Sequence, residues 1–142
     1  MPRPRTALLT FDPAASRIRG GHALRDGLSA AAAVGETLWV VNDETLSVER
    51  LTRLPGKGLS YGAHRQFALA DFLELHAPPR GRARDFEEGD IEGLDVRDGY
   101  LWVLGSHSLK RSRPEGATTV KALAQLARTA HDGNQFLLAR IP

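Results

Sequence analysis

The chain has 142 residues, 42% of them hydrophobic and 25% charged, with a formal net charge of +2; these values fit one ordinary globular domain. It has no cysteine, which excludes disulfides, cysteine-ligated zinc and a thiol nucleophile. No stretch approaches the roughly 20 apolar residues that span a bilayer, and Ala7-Leu8-Leu9 is too short for a signal-peptide core, so the expectation is a cytoplasmic protein without a membrane partner.

Thr6 to Phe11 reads as a short strand closed by Asp12-Pro13, and the basic, Gly-rich stretch Ser16 to Gly27 as loop. Leu28 to Val34 is apolar and stops at Gly35 after seven residues, a length that suits a buried strand. Leu38-Trp39-Val40-Val41 is rich in β-branched and aromatic residues and predicts a strand. Leu46 to Leu51 alternates apolar and polar and predicts a half-exposed strand. Pro55 to Leu59 reads as a turn, His64 to Leu69 as a strand, and Asp71 to Leu73 as one helical turn. His76 to Gly89 has no periodicity and predicts a surface loop. Ile91 to Val96 and Tyr100 to Leu104 meet at Asp98-Gly99, a strong hairpin signal. Val120, Leu123, Ala124, Ala127 and Ala130 recur at helical spacing and predict one amphipathic helix over Thr119 to His131. Gln135 to Ile141 closes the chain as a strand.

Asp26 to Glu44 aligns without gaps onto Gly89 to His107, an offset of 63 residues measured from Trp39 to Trp102. A repeat of strand, turn and Leu-Trp-Val predicts an all-β fold of about two antiparallel propeller-type blades with one amphipathic helix inserted. The blades are expected near residues 28–69 and 90–141 of a partial propeller spanning 1–142. A propeller closes with about four to eight blades. Two blades therefore predict missing C-terminal blades or self-association, and the unequal insertions favour a fragment.

Asp90-Ile91-Glu92-Gly93-Leu94, then Asp98-Gly99-Tyr100-Leu101-Trp102-Val103-Leu104 and Gly105-Ser106-His107-Ser108-Leu109-Lys110-Arg111, resemble a bacterial family catalogued as domain of unknown function 3616. The resemblance runs from Leu28 through the last strand. It implies a β-propeller-like fold and no established activity. More distantly, the chain is similar to calcium-dependent propeller lactonases and phytase-like esterase propellers.

Glu92 stands in an otherwise apolar inner strand, where a carboxylate must be paired, hydrated or metal-bound. Asn42 and Asp43, with Glu44, end the first Leu-Trp-Val strand and offer hard oxygen donors. Glu92, Asn42 and Asp43 are thus the candidate ligands of a calcium-like divalent cation; Glu92 is equally readable as a structural carboxylate between blades, and Asn42 and Asp43 read more readily as a turn that satisfies its own backbone. Glu92 begins an inner strand while Asn42 and Asp43 end its neighbour, which threatens to place them at opposite ends of the channel. Ser106 and His107 are strand neighbours pointing to opposite faces, so His107 reads as a binding residue, and Arg111 with Lys110 and Arg113 reads as a solvated basic loop or, alternatively, as an anion contact. Asp43, Glu92, His107 and Arg111 are the channel candidates for ligand binding. Of the basic residues 16 are Arg and 3 are Lys, but Arg80 to Arg84 lacks interleaved aromatics and runs into acidic residues, so no nucleic-acid partner is expected. The function read from these features is ligand binding or scaffolding without catalysis, with part of a cation-dependent propeller hydrolase as the alternative.

Overall fold

A computed structural model describes residues 6–18, 21–56, 58–76, 89–111, 114, 118–130 and 133–142. Most of the loop expected at His76 to Gly89 lies outside the described residues, as do Arg113 and His131. The described residues are all-β with one α-helix. A first sheet holds β1 (Ala7–Leu9), β2 (Leu28–Val34), β3 (Thr37–Asn42), β4 (Ser47–Arg53) and β5 (Leu59–Ala68), in the order β1-β5-β4-β3-β2. A second holds β6 (Ile91–Arg97), β7 (Tyr100–Gly105) and, last in the chain, β10 (Leu138–Ile141), in the order β10-β7-β6. Between β7 and β10 lie β8 (Lys110–Arg111), helix α1 (Thr119–Leu126) and β9 (Thr129–Ala130), with β8 and β9 paired together. Among the described residues no helix is long and apolar enough to cross a membrane.

The hairpins form where local chemistry specifies them. Asp98 and Gly99 both take positive φ, +54° and +79°, as a two-residue hairpin turn requires. In β3, Trp39 and Val41 face one side of the first sheet and Leu38 and Val40 the other. Both sides are covered. Val41, Val48 and Leu69 pack with Ile91, Val103 and Ile141 to form the core between the sheets. Val40, Leu51 and Tyr61 form a second core under Leu9 and Phe11. Each fully buried aliphatic side chain is worth about 1.5–3 kcal/mol.

The two hairpins pair in the same register. Leu28 opposes Asn42, a bulge follows, and Ala30 opposes Val41; 63 residues later Ile91 opposes Gly105, a bulge follows, and Gly93 opposes Leu104. Trp39 and Trp102 hold equivalent positions on this ladder. The third strands match as well: Val48, Arg50 and Leu51 oppose Val41, Trp39 and Leu38, as Leu138, Arg140 and Ile141 oppose Leu104, Trp102 and Leu101.

Four expectations are corrected. Pairing is not antiparallel throughout, because β1 runs parallel to β5 with Ala7 opposite Leu59. Residues far apart in sequence set that contact, and no local pattern announces it. The helix stops at Leu126, because Thr129 and Ala130 pair with β8 instead; its apolar stripe is not a packing face, with no residue buried. β4 is not half-exposed: Ser47, Val48, Glu49 and Leu51 are all buried, since one face meets the second sheet and the other the N-terminal segment. β5 begins at Leu59, within the stretch read as turn.

Candidate functional site

The strand ends carrying the predicted residues gather on one side of the molecule. Leu28 at the start of β2 pairs with Asn42 at the end of β3, and Ile91 at the start of β6 pairs with Gly105 at the end of β7. The Ser29 hydroxyl, at the β2 bulge, donates to the Ile91 carbonyl oxygen and joins the two inner strands there. Glu92 and the Asn42-Asp43 pair therefore lie at the same end of the sheets. The expectation of opposite ends overlooked antiparallel pairing, which sets the end of one strand beside the start of its neighbour.

Asn42 is fully buried and committed to the backbone. Its Nδ2 donates to the Leu24 carbonyl at 2.6 Å and its Oδ1 accepts from the Glu44 N–H at 2.7 Å. Asp43 differs, because its Oδ1 is buried without a hydrogen-bond partner. Gly27 makes room for both: a Cβ there would stand 2.5 Å from Asp43 Oδ1 and 2.7 Å from Asn42 Nδ2. Glu92 occupies the β6 bulge and is exposed. His107 is exposed, at φ +53°. Its Nε2 donates to the Leu137 carbonyl at 3.3 Å, and its ring meets Phe136 edge-on at 5.7 Å. Ser106 Oγ lies 2.9 Å from Ser108 Oγ, so the hydroxyls pair with each other. The Arg111 backbone pairs with Thr129 in the β8–β9 ribbon. Among the described residues no three His, Cys, Asp or Glu side chains converge as a metal cage. Among the described residues of this end, the orphaned Asp43 oxygen and the exposed Glu92 carboxylate are the groups that suit a hard cation.

Sequence reasoning missed a polar cluster in the second core. Glu49 of β4 stands directly opposite Gln66 of β5. Ser47 lies two residues before Glu49 and His64 two before Gln66, which puts all four on one face. Glu49 Oε1 accepts from Ser47 Oγ at 2.5 Å and Gln66 Nε2 at 3.1 Å. Glu49 Oε2 meets His64 Nε2 at 2.7 Å, and neither side chain is exposed. His64 Nδ1 accepts the Asp12 N–H at 3.2 Å. That leaves the ring proton on Nε2, facing the carboxylate. Both histidine nitrogens are engaged and neither the Glu49 nor the His64 side chain is exposed, so the cluster ties strands together and has no basic atom free for catalysis. Polar residues at i and i+2 in both strands were its signal in the sequence.

Away from the Ser29–Ile91 contact the sheets diverge and leave a cleft of about 470 Å³. Trp39, Phe67, Phe72 and Tyr100 give it aromatic walls, with Arg50 from β4 among the lining residues. The Arg50 guanidinium lies over the Phe67 ring at 5.7 Å, and its Nε is buried without a hydrogen-bond partner. A mostly apolar cavity with one convergent cation is the usual form of a small-molecule site. None of the residues predicted as channel candidates lines it.

The model of a family described as protein of unknown function (DUF3616) covers residues 27–142. No curated protein and no solved structure matches the chain.

Proposed function

This chain belongs to the DUF3616 family, and from that premise we propose that it is a ligand-binding scaffold of propeller type without catalysis of its own. In this reading residues 28–69 and 90–141 are adjacent blades in a partial ring spanning 1–142. Further C-terminal blades or self-association complete the ring. The protein is cytoplasmic and takes neither nucleic acid nor membrane as partner. One observation carries the ligand-binding reading, namely the aromatic cleft with a buried, unpartnered Arg50 Nε. A buried donor left unpaired costs about 1–3 kcal/mol, which an anionic group on an apolar ligand would recover. The ligand class is therefore a small aromatic or apolar molecule bearing a carboxylate, sulfonate or phosphate.

Titration with an anilinonaphthalene sulfonate, followed by Trp39 quenching and probe emission, tests this. Arg50→Met keeps the apolar stem and removes the charge. The variant is expected to bind the sulfonate at least about tenfold more weakly, the equivalent of about 1.4 kcal/mol, and to bind a neutral naphthalene unchanged. Equal affinity of both proteins for the sulfonate, or none in either, overturns the reading.

A second reading, part of a cation-dependent propeller hydrolase, is favoured by the orphaned Asp43 Oδ1 and by its sharing one end of the sheets with Glu92. Glu92 and Asp43 then hold a calcium-like ion, with His107 and Arg111 as substrate contacts, while Asn42 positions Asp43 through the turn it anchors. Calorimetric titration with calcium is expected to give binding that Glu92→Gln weakens at least about tenfold. Equal heats for the two proteins, or none, would leave Glu92 a structural carboxylate.

A further inference from the structure

The β4–β5 ladder sets two arginines side by side. Arg50 stands directly opposite Arg65, as Val48 stands opposite Phe67. Directly opposed residues of an antiparallel pair share a face, with Cβ atoms roughly 4.5–5.5 Å apart. Arg65 therefore lies on the cleft face of the first sheet, beside Arg50 and two residues from Phe67. Like charges so placed repel. Glu49, the acid next to Arg50 in sequence, points the other way and is consumed by Ser47, Gln66 and His64. Among the described residues the ion pairs are Arg25–Asp26, Arg53–Glu36, Arg97–Asp98 and His64–Glu49, so neither Arg50 nor Arg65 has a carboxylate partner there. The two differ in exposure. Arg50 lines the cleft, its guanidinium over Phe67 and its Nε buried without a partner, whereas Arg65 is exposed. The pair of charges thus runs from the cleft wall out to solvent.

We infer that Arg50 and Arg65 together hold a dianionic group, and that the ligand of the cleft is a phosphate monoester of an aromatic or other apolar alcohol. The apolar part lies among Trp39, Phe67 and Tyr100. The phosphate lies at the rim, where Arg50 reaches it from the cleft and Arg65 from the solvent side. A phosphate monoester carries about 1.5 to 2 negative charges at neutral pH, and its oxygens match two guanidinium forks. A carboxylate or sulfonate carries one charge and leaves the repulsion between the arginines half compensated. A rim position also keeps part of the phosphate in water, which spares the cost of burying a dianion whole. The inference rests on the cleft being the ligand site, as proposed above, and narrows the class of ligand.

Calorimetric titration of the whole chain with naphthyl phosphate and naphthalene sulfonate tests it, at about pH 8, above the second phosphate pKa near 6. The two probes share a ring system and differ in charge. The wild type is expected to bind the phosphate at least about tenfold more tightly than the sulfonate. Arg65→Gln is expected to remove that preference while leaving the sulfonate affinity within about twofold. Because the substitution relieves a like-charge pair at an exposed position, the ligand-free variant is expected to keep or raise its urea midpoint. Arg25→Gln, an exposed position paired with Asp26, is expected to leave the preference intact and controls for net charge. Equal affinity of the wild type for the two probes, a preference that survives Arg65→Gln, its loss in Arg25→Gln as well, or a lowered midpoint of ligand-free Arg65→Gln overturns the inference. The ligand-binding reading is then still judged by the sulfonate and Arg50→Met, so the two failures are told apart. Binding of neither probe overturns both.

Discussion

Glu49 carries a carboxylate into a part of the core where neither it nor its partner His64 is exposed. The group persists because its neighbours meet it: Ser47 and Gln66 donate to Oε1, and His64 donates to Oε2. The arrangement is all or nothing, since removing one member strands the others. Breaking a buried pair by deleting one partner costs about 3–5 kcal/mol, and Glu49→Ala is expected to lower the free energy of unfolding in urea by about that much. Replacing the pair together, Glu49→Leu with His64→Phe, is expected to cost less than Glu49→Ala, because apolar side chains fill the space and the His64 N–H is not left facing a lost acceptor. A Glu49→Ala loss below about 1 kcal/mol, the range of surface pairs, would contradict this account. In the sequence His64 stands apart from every other histidine, and its partner is fixed only by the β4–β5 register. The bulge that helps set that register puts its positive φ, +48°, on Ala63 and not on the neighbouring Gly62. Glu92, Asp43 and His107 were legible as polar residues at strand ends, but Arg50 was not legible as a cleft residue. A single arginine in an alternating strand looks the same whether it faces solvent or a cavity.

At the scale of elements, the sequence specified structure best where the signal was local. β3 and the β6–β7 hairpin stand where the Leu-Trp-Val segments and Asp98-Gly99 put them. The matching register also follows from the 63-residue alignment, because side chains alternate and one slip would turn each core residue outward. The likeness of the third strands, Val48-Glu49-Arg50-Leu51 to Leu138-Ala139-Arg140-Ile141, escaped notice because the offset grows to 90 residues across the helical insertion. β4 misled because alternation reads Ser47 and Glu49 as solvated when they are paired in the core. The helix misled because Ala127 and Ala130 continue its period, although pairing with β8 captures the chain at Thr129. The parallel β1–β5 pair joins residues 52 apart, from Ala7 to Leu59, and only the folded sheet brings them together.

For the whole molecule that last pair matters more than its three residues suggest. The family match begins at residue 27, yet the second core is closed by what precedes it. Leu9 and Phe11 pack against Val40, Leu51 and Tyr61. Thr10 donates its N–H to the Tyr61 carbonyl at 2.9 Å. Phe11 lies edge-on to His64 at 5.1 Å, and the Asp12 N–H bonds His64 Nδ1 at 3.2 Å. Without this segment the outer strands of the first sheet would expose Leu51 and Tyr61 and admit water to the Glu49–His64 pair. Losing two large apolar contacts costs about 1.5–3 kcal/mol each, a large share of the 5–15 kcal/mol typical of a domain. A chain starting at residue 17 is therefore expected to unfold at a markedly lower urea concentration. A peptide of residues 6–16 added in trans is expected to raise the midpoint again, since its backbone can re-form the parallel ladder along β5. The same peptide with Phe11→Ala is expected to raise it less. If the truncated chain matches the full one in midpoint and slope, the N-terminal segment is only draped over the sheet, and the second core is stable without it.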